Sequence, residues 1–476
     1  MVGARAVLRP SNQTLPRRCL SDLPVNDDMT KVLKAPSQGA GLRFVQPAES
    51  PARIGLGRPG GSGSALEFGR PPTFGARAVF SRLEKLTEGR LLATWEGGQR
   101  SFGATAADGL EASFHVVDRR FWAAIALRGT IGAGEAWSKG WWIAEDPASV
   151  VRLIARNLEA NRKLESGLAK LSRPALAWFH RLRENTLHGS RQNISAHYDL
   201  SNEFFALFLD PTMTYSCGLF ESPESTLEQA SLAKIDRLLT ALDVQPGHRL
   251  LEIGTGWGAL AERAAEKFGA QVTTATISAE QHTFASERIR KAGLEDQVEL
   301  LLRDYRELEG RYDRIASVEM IEAVGHRYYS AFFESCAGLL AEDGRLGLQA
   351  ITIRDSAYEE ARRSVDFIQR HIFPGSCIPS ISALQEAQSR ATDLRTVELF
   401  DMGLHYARTL AEWRSALRGR WEEAQALGFD EDFLRLFEFY FVYCEGGFAE
   451  GHISTVQWIS ERPAAVLRRR AAIEGC

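Results

Sequence analysis

Arg249-Leu-Leu-Glu-Ile253, then Gly254-Thr-Gly-Trp-Gly258, then the run Ala259 to Lys267 decide the fold of this chain. The first five residues read as a buried strand, the glycines as a tight turn, and the last run as a helix with apolar residues at helical spacing. A strand that turns on glycines into a helix brings main chain close to a ligand, because only glycine leaves room there. The alternation continues through Gln271-Val-Thr-Thr-Ala-Thr276, a helix over Gln281 to Ala292, Val298-Glu-Leu-Leu-Leu302, Arg314-Ile-Ala-Ser-Val318 and Arg345-Leu-Gly-Leu-Gln-Ala-Ile351. Apolar strands separated by helix-length segments predict an α/β fold with a doubly wound, Rossmann-like parallel sheet.

Three ligands compete for such a turn: a dinucleotide, a phosphate and S-adenosylmethionine. The glycines follow G-x-G-x-G rather than the dinucleotide pattern G-x-G-x-x-G, and no Gly-Lys-Ser/Thr follows, so a P-loop is excluded. The next strand ends in Thr276-Ile-Ser278, without the acidic residue that holds a ribose in dinucleotide sites. The hydroxyls of Thr276 and Ser278 and the amide of Gln281 are then the expected polar partners. Asp304-Tyr305 ends the third strand and offers an acceptor beside an aromatic face, which suits an adenine. The bland alternative is that Asp304 caps the next element and Tyr305 packs.

Composition sets the outer bounds. With 476 residues, 44% of them hydrophobic and 25% charged, the chain has apolar mass for two or three folded units. Its 57 Lys and Arg against 61 Asp and Glu argue against a nucleic-acid partner. The six cysteines are scattered, with no C-x-x-C pair and no compact His/Cys group, so neither a metal site nor a disulfide framework is expected. No apolar stretch reaches the ~18 residues of a membrane span, so any lipid is met from the surface.

The first 70 residues hold ten basic and five acidic residues and end in the Gly/Pro/Ser-rich run Pro51 to Ser64. They read as a disordered tail lacking the apolar stretch of a secretory signal, and Met29 is an alternative start. Residues 71–185 read as a small mixed domain, with strands at Arg90 to Trp95 and Ala112 to Val117, a helix over Pro147 to Leu164, and a tryptophan group (Trp137, Trp141, Trp142) expected in core or at a domain contact. Arg181, Arg183, His188, Arg191 and His197 form a basic connection, read as a solvated hinge or, more sharply, as a contact with anionic headgroups. Residues 186–476 form the expected catalytic domain.

Seven ordered blocks carry a family resemblance: His197-Tyr-Asp-Leu, Met213-Thr-Tyr-Ser-Cys217, Glu252 to Gly258, Ile277-Ser-Ala-Glu-Gln281, Asp304-Tyr-Arg306, Asp313-Arg-Ile-Ala-Ser-Val-Glu-Met-Ile-Glu-Ala-Val-Gly325 and Phe367-Ile-x-x-x-Ile-Phe-Pro374. Over about residues 130 to 460 the chain resembles the cyclopropane-fatty-acid-phospholipid synthases and mycolic acid cyclopropane synthases, which are S-adenosylmethionine-dependent C-methyltransferases. The resemblance implies that Tyr198, Tyr215 and Ser216 hold the methionine part of the cofactor. Glu252, Gly254, Gly256, Gly258, Thr276, Ser278, Gln281, Asp304 and Tyr305 would hold the rest. It also implies a bicarbonate ion bound by Cys217 and Ile351 through their backbone and by Glu322, Gln349 and Tyr440. Cys444 matches a cysteine often treated as catalytic, although this chemistry needs no thiolate. Many relatives carry His at the place of Gln349, and Gln cannot take up a proton.

The implied reaction moves the methyl group of S-adenosylmethionine to a cis double bond of a phospholipid acyl chain, and proton loss to bicarbonate closes a cyclopropane ring. Such a site must be dry and must place one base. The same cation relieved by hydride shift and proton loss gives a methylene- or methyl-branched chain, and an inactive lipid-binding subunit is a reading of a different class. The segment Asp366 to Pro379 is expected to shape an acyl tunnel. The implied setting is cytoplasmic, peripheral on the inner face of the membrane, touching anionic lipid; monomer and homodimer both stay open.

Overall fold

The computed structural model describes residues 73–157 and 201–466, so the N-terminal tail, the basic connection, Tyr198 and the boundary read near residue 185 lie outside the described residues. The first stretch holds α1 (Phe74–Leu83), β1 (Gly89–Trp95), β2 (Gly98–Ala104), β3 (Glu111–Val116), α2 (Arg120–Ser138), β4 (Trp142–Ile143) and α3 (Pro147–Arg156). Its strands form one sheet in the order β2-β1-β3-β4. Pro147 stands in the first turn of α3 and Asp146 accepts from Ala148 and Ser149 N–H, a pre-set φ and a cap that together start the helix.

The second stretch begins with α4 (Asn202–Phe205) and α5 (Leu227–Ala241), then β5 (Arg249–Ile253), α6 (Ala259–Phe268), β6 (Gln271–Thr276), α7 (Ala279–Ala292), β7 (Val298–Leu302) and β8 (Tyr312–Val318). It continues with α8 (Ile321–Val324), α9 (Tyr329–Leu339), β9 (Leu340–Ile353), α10 (Asp355–Ala361), α11 (Phe367–His371), α12 (Ile381–Ala391), β10 (Arg395–Asp401), α13 (Gly403–Gly419), α14 (Trp421–Ala426), α15 (Glu431–Ala449) and β11 (Ile453–Glu461). Seven strands form one sheet in the order β10-β11-β9-β8-β5-β6-β7. β11 runs antiparallel to both its neighbours, whereas β9, β8, β5, β6 and β7 pair in parallel. The chain order reverses beside β5, and in open α/β sheets the crevice beyond the strand C-termini at such a point receives the ligand.

Both faces of the sheet are covered, as a parallel sheet requires. Leu238, Leu260, Ala264 and Ile289 pack on one face, and Phe332, Phe333, Cys336 and Leu384 on the other. A third apolar cluster runs without a break from Phe80, Trp122 and Trp142 of the small sheet to Phe204, Phe437 and Phe441. The tryptophan group takes its expected place: Trp142 lies edge-on to Phe439 and Trp137 donates to Glu438 Oε2 at 3.1 Å.

Candidate active site

The strand–turn–helix stands as read, and each glycine of the turn has its own reason. Gly254 and Gly256 have φ of 98° and 54°, and a Cβ on Gly256 would meet nothing within 4 Å, so this main chain borders open space. Gly258 does not line the cavity; a Cβ there would sit 3.1 Å from Ala285 Cβ, so it lets α6 lie close on α7. Trp257 Nε1 donates to Asn202 Oδ1 at 2.7 Å and ties the turn to α4.

One cavity of about 470 Å³ opens from this turn. Tyr215, Ser216, Glu252, Thr276, Gln281, Asp304 and Tyr305 line it at the turn, and Glu319, Glu322, Ile351, Tyr440 and Cys444 line it further in. Ile368, Phe373, Pro374 and Ile378 of the segment expected to shape a tunnel line it too. Ser278 does not: its hydroxyl accepts from Gln281 N–H and caps α7, which corrects its expected role as a cofactor partner. Asp304 lines the cavity while accepting from the Arg306 guanidinium at 2.8 and 2.7 Å and capping the turn that follows, and Tyr305 lies edge-on to Phe332.

Burial pushes Glu252 up to about 8, against the opposing pulls of the Thr274 hydroxyl, from which it accepts at 2.6 Å, and of the Lys234 charge. Lys234 of α5, 2% exposed, donates to Ser216 Oγ at 2.6 Å. Burial pulls its pKa down, and Glu319, Cys217, Asp210 and Glu252 act against that pull. Lys234 has no place in the sequence-based reading, where a lysine on an amphipathic helix is a solvated residue.

The deeper end differs from expectation. Glu319 stands just after β8 with φ of 48°, in a left-handed conformation that a glutamate rarely adopts. Its Oε1 accepts from Cys217 N–H at 3.0 Å and Gln349 Nε2 at 2.9 Å, and its Oε2 accepts from Tyr406 OH at 2.6 Å. Glu322 Oε1 accepts from Ile351 N–H. The donors that the resemblance assigned to bicarbonate through Cys217, Gln349 and Ile351 therefore serve two carboxylates of this chain, and the set does not fit a bicarbonate ion. Neither Cys217 nor Gln349 lines the cavity; each acts by holding Glu319.

The two carboxylates have unequal surroundings. Burial pushes Glu322 up to about 8, with Glu319 beside it adding to the rise. Its Oε2 has no hydrogen-bond partner among the described residues. Burial raises Glu319 as well, but Lys234, the Tyr406 hydroxyl, the Gln349 amide and the Cys217 N–H all pull it down. Two adjacent carboxylates do not easily ionise together, so the proton rests on Glu322 and the negative charge on Glu319.

Tyr440 accepts from Tyr215 OH at 3.0 Å and joins the two ends of the cavity. Burial raises the Cys444 thiol and Asp366 adds to the rise, so Cys444 is a neutral wall residue rather than a thiolate. No group of three or more His, Cys, Asp or Glu suited to a metal occurs among the described residues.

The family model for mycolic acid cyclopropane synthetase matches residues 185–458. The tuberculostearic acid methyltransferase UfaA1 of Mycobacterium tuberculosis is 39% identical over 342 residues, 70% of this chain and 79% of that one. Cyclopropane mycolic acid synthase 1 of the same organism is 37% identical over 279 residues, 57% of this chain and 96% of that one. A solved structure of mycolic acid cyclopropane synthase CmaA1 complexed with SAH and CTAB aligns with a TM-score of 0.53 at 35% identity, over 57% of this chain and 98% of that one.

Proposed function

From the premise that the chain belongs to the mycolic acid cyclopropane synthetase family, we propose that it methylates the cis double bond of a phospholipid acyl chain and uses Glu319 as its base. The observation that carries the reading is the buried carboxylate of Glu319, facing the cavity and held by three donors. S-adenosylmethionine supplies an electrophilic methyl group when bound. The fit of the site supports that cofactor: glycine main chain borders the space beside Glu252, an acceptor for an amino or hydroxyl group. Ser216 and the buried Lys234 offer donors for a carboxylate.

The alkene's π pair forms the new C–C bond as the S–C bond breaks, leaving a cation on the neighbouring chain carbon. Glu319 lowers the energy of that cation, and its position, fixed by three donors, costs no reorganisation. It then takes a proton from the transferred methyl group. The released C–H pair either closes a ring onto the cation or, after a hydride has moved to the cationic carbon, forms an exocyclic double bond. Neutral Glu322 avoids a second charge beside the base.

One observation favours the methylene-branched product over the ring: the similarity to a tuberculostearic acid methyltransferase extends over more of the chain than the similarity to cyclopropane mycolic acid synthase 1. Mass spectrometry of lipids from cells making the protein tests this: a gain of one methylene that takes up hydrogen on catalytic hydrogenation supports the branch. A gain inert to mild hydrogenation supports the ring, and no gain refutes the methyltransferase reading. The acyl chain is taken to be reached from the membrane surface; among the described residues, no helix is long and apolar enough to cross a membrane. The basic residues Arg181 to His197 suit peripheral contact with anionic lipid on the inner face.

A further inference from the structure

A row of buried amides joins Glu319 to the protein surface. Gln349 of β9 and Gln457 of β11 stand opposite each other in the sheet, both fully buried. Gln349 Nε2 donates to Glu319 Oε1 at 2.9 Å and to the Cys217 carbonyl at 3.5 Å. Its oxygen accepts from Gln457 Nε2 at 3.0 Å, and that nitrogen also donates to the Lys234 carbonyl at 2.9 Å. The Gln457 oxygen accepts in turn from Arg237 Nη1 of α5 at 2.6 Å. Arg237 ends the row: its side chain is 20% exposed, its guanidinium carbon lies 3.6 Å from the centroid of the Phe400 ring, and its other terminal nitrogen pairs with Glu398 of β10. Neither Arg237 nor Gln457 borders the cavity.

The row has one direction. An amide carries a donor and an acceptor and can turn either toward a neighbour, whereas a guanidinium only donates. With Arg237 at the outer end, Gln457 presents its oxygen outward and its NH₂ inward, so Gln349 presents its oxygen to Gln457 and its NH₂ to Glu319. Turning Gln457 would set its NH₂ against the guanidinium and its oxygen against the Lys234 carbonyl, and mismatched polar groups are costly in a buried place. The two states of Glu319 ask different things of Gln349: the carboxylate needs the NH₂, while an acid with its O–H at Oε1 needs the amide oxygen. Arg237 weights the row toward the first, and without it a turn of both amides costs less.

Resting on the reading of Glu319 as the base, we propose that Arg237 is a remote positioning residue for the reaction: through Gln457 it holds the Gln349 amide with its NH₂ on Glu319. The other groups facing Glu319 are Lys234 from α5, Tyr406 from α13, Glu322 from α8, Tyr440 from α15, and the Cys217 N–H and thiol. All of them remain when Arg237 is replaced, so a change in the titration of the base then reports on the row.

The test uses the full chain with labelled S-adenosylmethionine and oleoyl phosphatidylglycerol vesicles, with kcat measured across pH and cofactor Kd by calorimetry. Arg237→Met weakens the hold on the ionised base, so the acidic limb of the kcat profile moves to higher pH by about one unit, the scale of one hydrogen bond to a charged group. Cofactor Kd stays unchanged. Gln457→Met cuts the row while leaving the Arg237 charge in place and gives the same shift. The double variant shifts no further, because both changes break one series. Arg237→Lys keeps a head that only donates and leaves the limb near its wild-type pH. A merely structural role would lower turnover or Tm without moving the limb. An unmoved limb in folded Arg237→Met overturns the proposal; so does a shift that Gln457→Met lacks, that Arg237→Lys shares in full, or that adds in the double variant. If Gln457→Met does not fold, Gln457→Asn, one methylene too short to reach both partners, takes its place. Activity that survives in Glu319→Gln overturns the base reading and this proposal together. Activity lost in Glu319→Gln beside an unmoved limb in Arg237→Met overturns the role of Arg237 alone.

Discussion

Replacing Glu319 by Gln removes a charge and leaves the shape of the site in place. The amide oxygen still accepts from Cys217 N–H and Gln349 Nε2, which now sit at 3.0 and 2.9 Å from the carboxylate. The amide NH₂ then faces the Tyr406 hydroxyl, which today donates to Oε2 at 2.6 Å and needs only to rotate in order to accept. No hydrogen-bonding group loses its partner, so the fold should be kept, at some cost in stability because the buried Lys234 loses the carboxylate charge that most offsets its burial. Catalysis loses the base and the anion together. A positioned base is worth roughly 10²- to 10⁴-fold, or about 3 to 5 kcal/mol of barrier at ~1.4 kcal/mol per decade. Loss of the anion beside the developing cation places the expected effect at the upper end of that range. The assay is transfer of labelled methyl from S-adenosylmethionine to oleoyl vesicles, with cofactor affinity measured by calorimetry. Turnover falling by that factor at unchanged Kd is the expected result. Turnover within about tenfold of wild type, below the range for a general base, would refute the assignment.

Other perturbations probe the same arrangement. Glu319→Gly suits the left-handed backbone there and frees the Cys217, Gln349 and Tyr406 donors; it should be inactive alone and regain part of its turnover when bicarbonate or formate is added. Glu322 keeps its proton in the fold up to about 8 but releases it near 4.5 when unfolded. Stability therefore falls by about 1.4 kcal/mol per pH unit as pH rises through that window. Glu322→Gln abolishes this loss, so the gap between variant and wild-type Tm should widen in favour of the variant from pH 5 to pH 8; a constant gap would contradict the raised pKa. Lys234→Met removes a cation that holds Glu319 down. The acidic limb of the kcat profile should move to higher pH, and an unmoved limb would show that Lys234 does not act on the base.

What was legible in the sequence is what lies close together along it. The strand Arg249–Ile253, its glycine turn and the helix after it are consecutive, and so are the alternations down to β9. β10 and β11 escaped because their patterns mislead. β10 is largely exposed, and β11 buries Thr455, Gln457, Ser460 and Glu461 completely, a polar strand that periodicity does not mark as core. α2 escaped because Gly129, Gly132 and Gly134 interrupt it, although Gly134 is what admits Phe367. In the site, many of the residues named from the resemblance line one cavity, whereas Gly258, Ser278, Cys217 and Gln349 do not, and their division of labour was not legible. Glu319 lay in a quoted block without a role, because a single carboxylate after a strand has no signature. Its holders come from α5, α13, β9 and the segment before α5, which only the fold brings together. The spacing Glu319-x-x-Glu322, two carboxylates on one tight turn at the end of a parallel strand, was the signal available.

The most direct test is to run the wild-type protein with trideuteriomethyl S-adenosylmethionine and oleoyl vesicles in buffer stripped of carbon dioxide, with and without added bicarbonate. If Glu319 is the base, the acyl chains gain a CD₂ unit, one deuteron being lost from the transferred methyl, at the same rate in both buffers. A CD₂ gain that needs bicarbonate, or no gain in either buffer, would contradict the account.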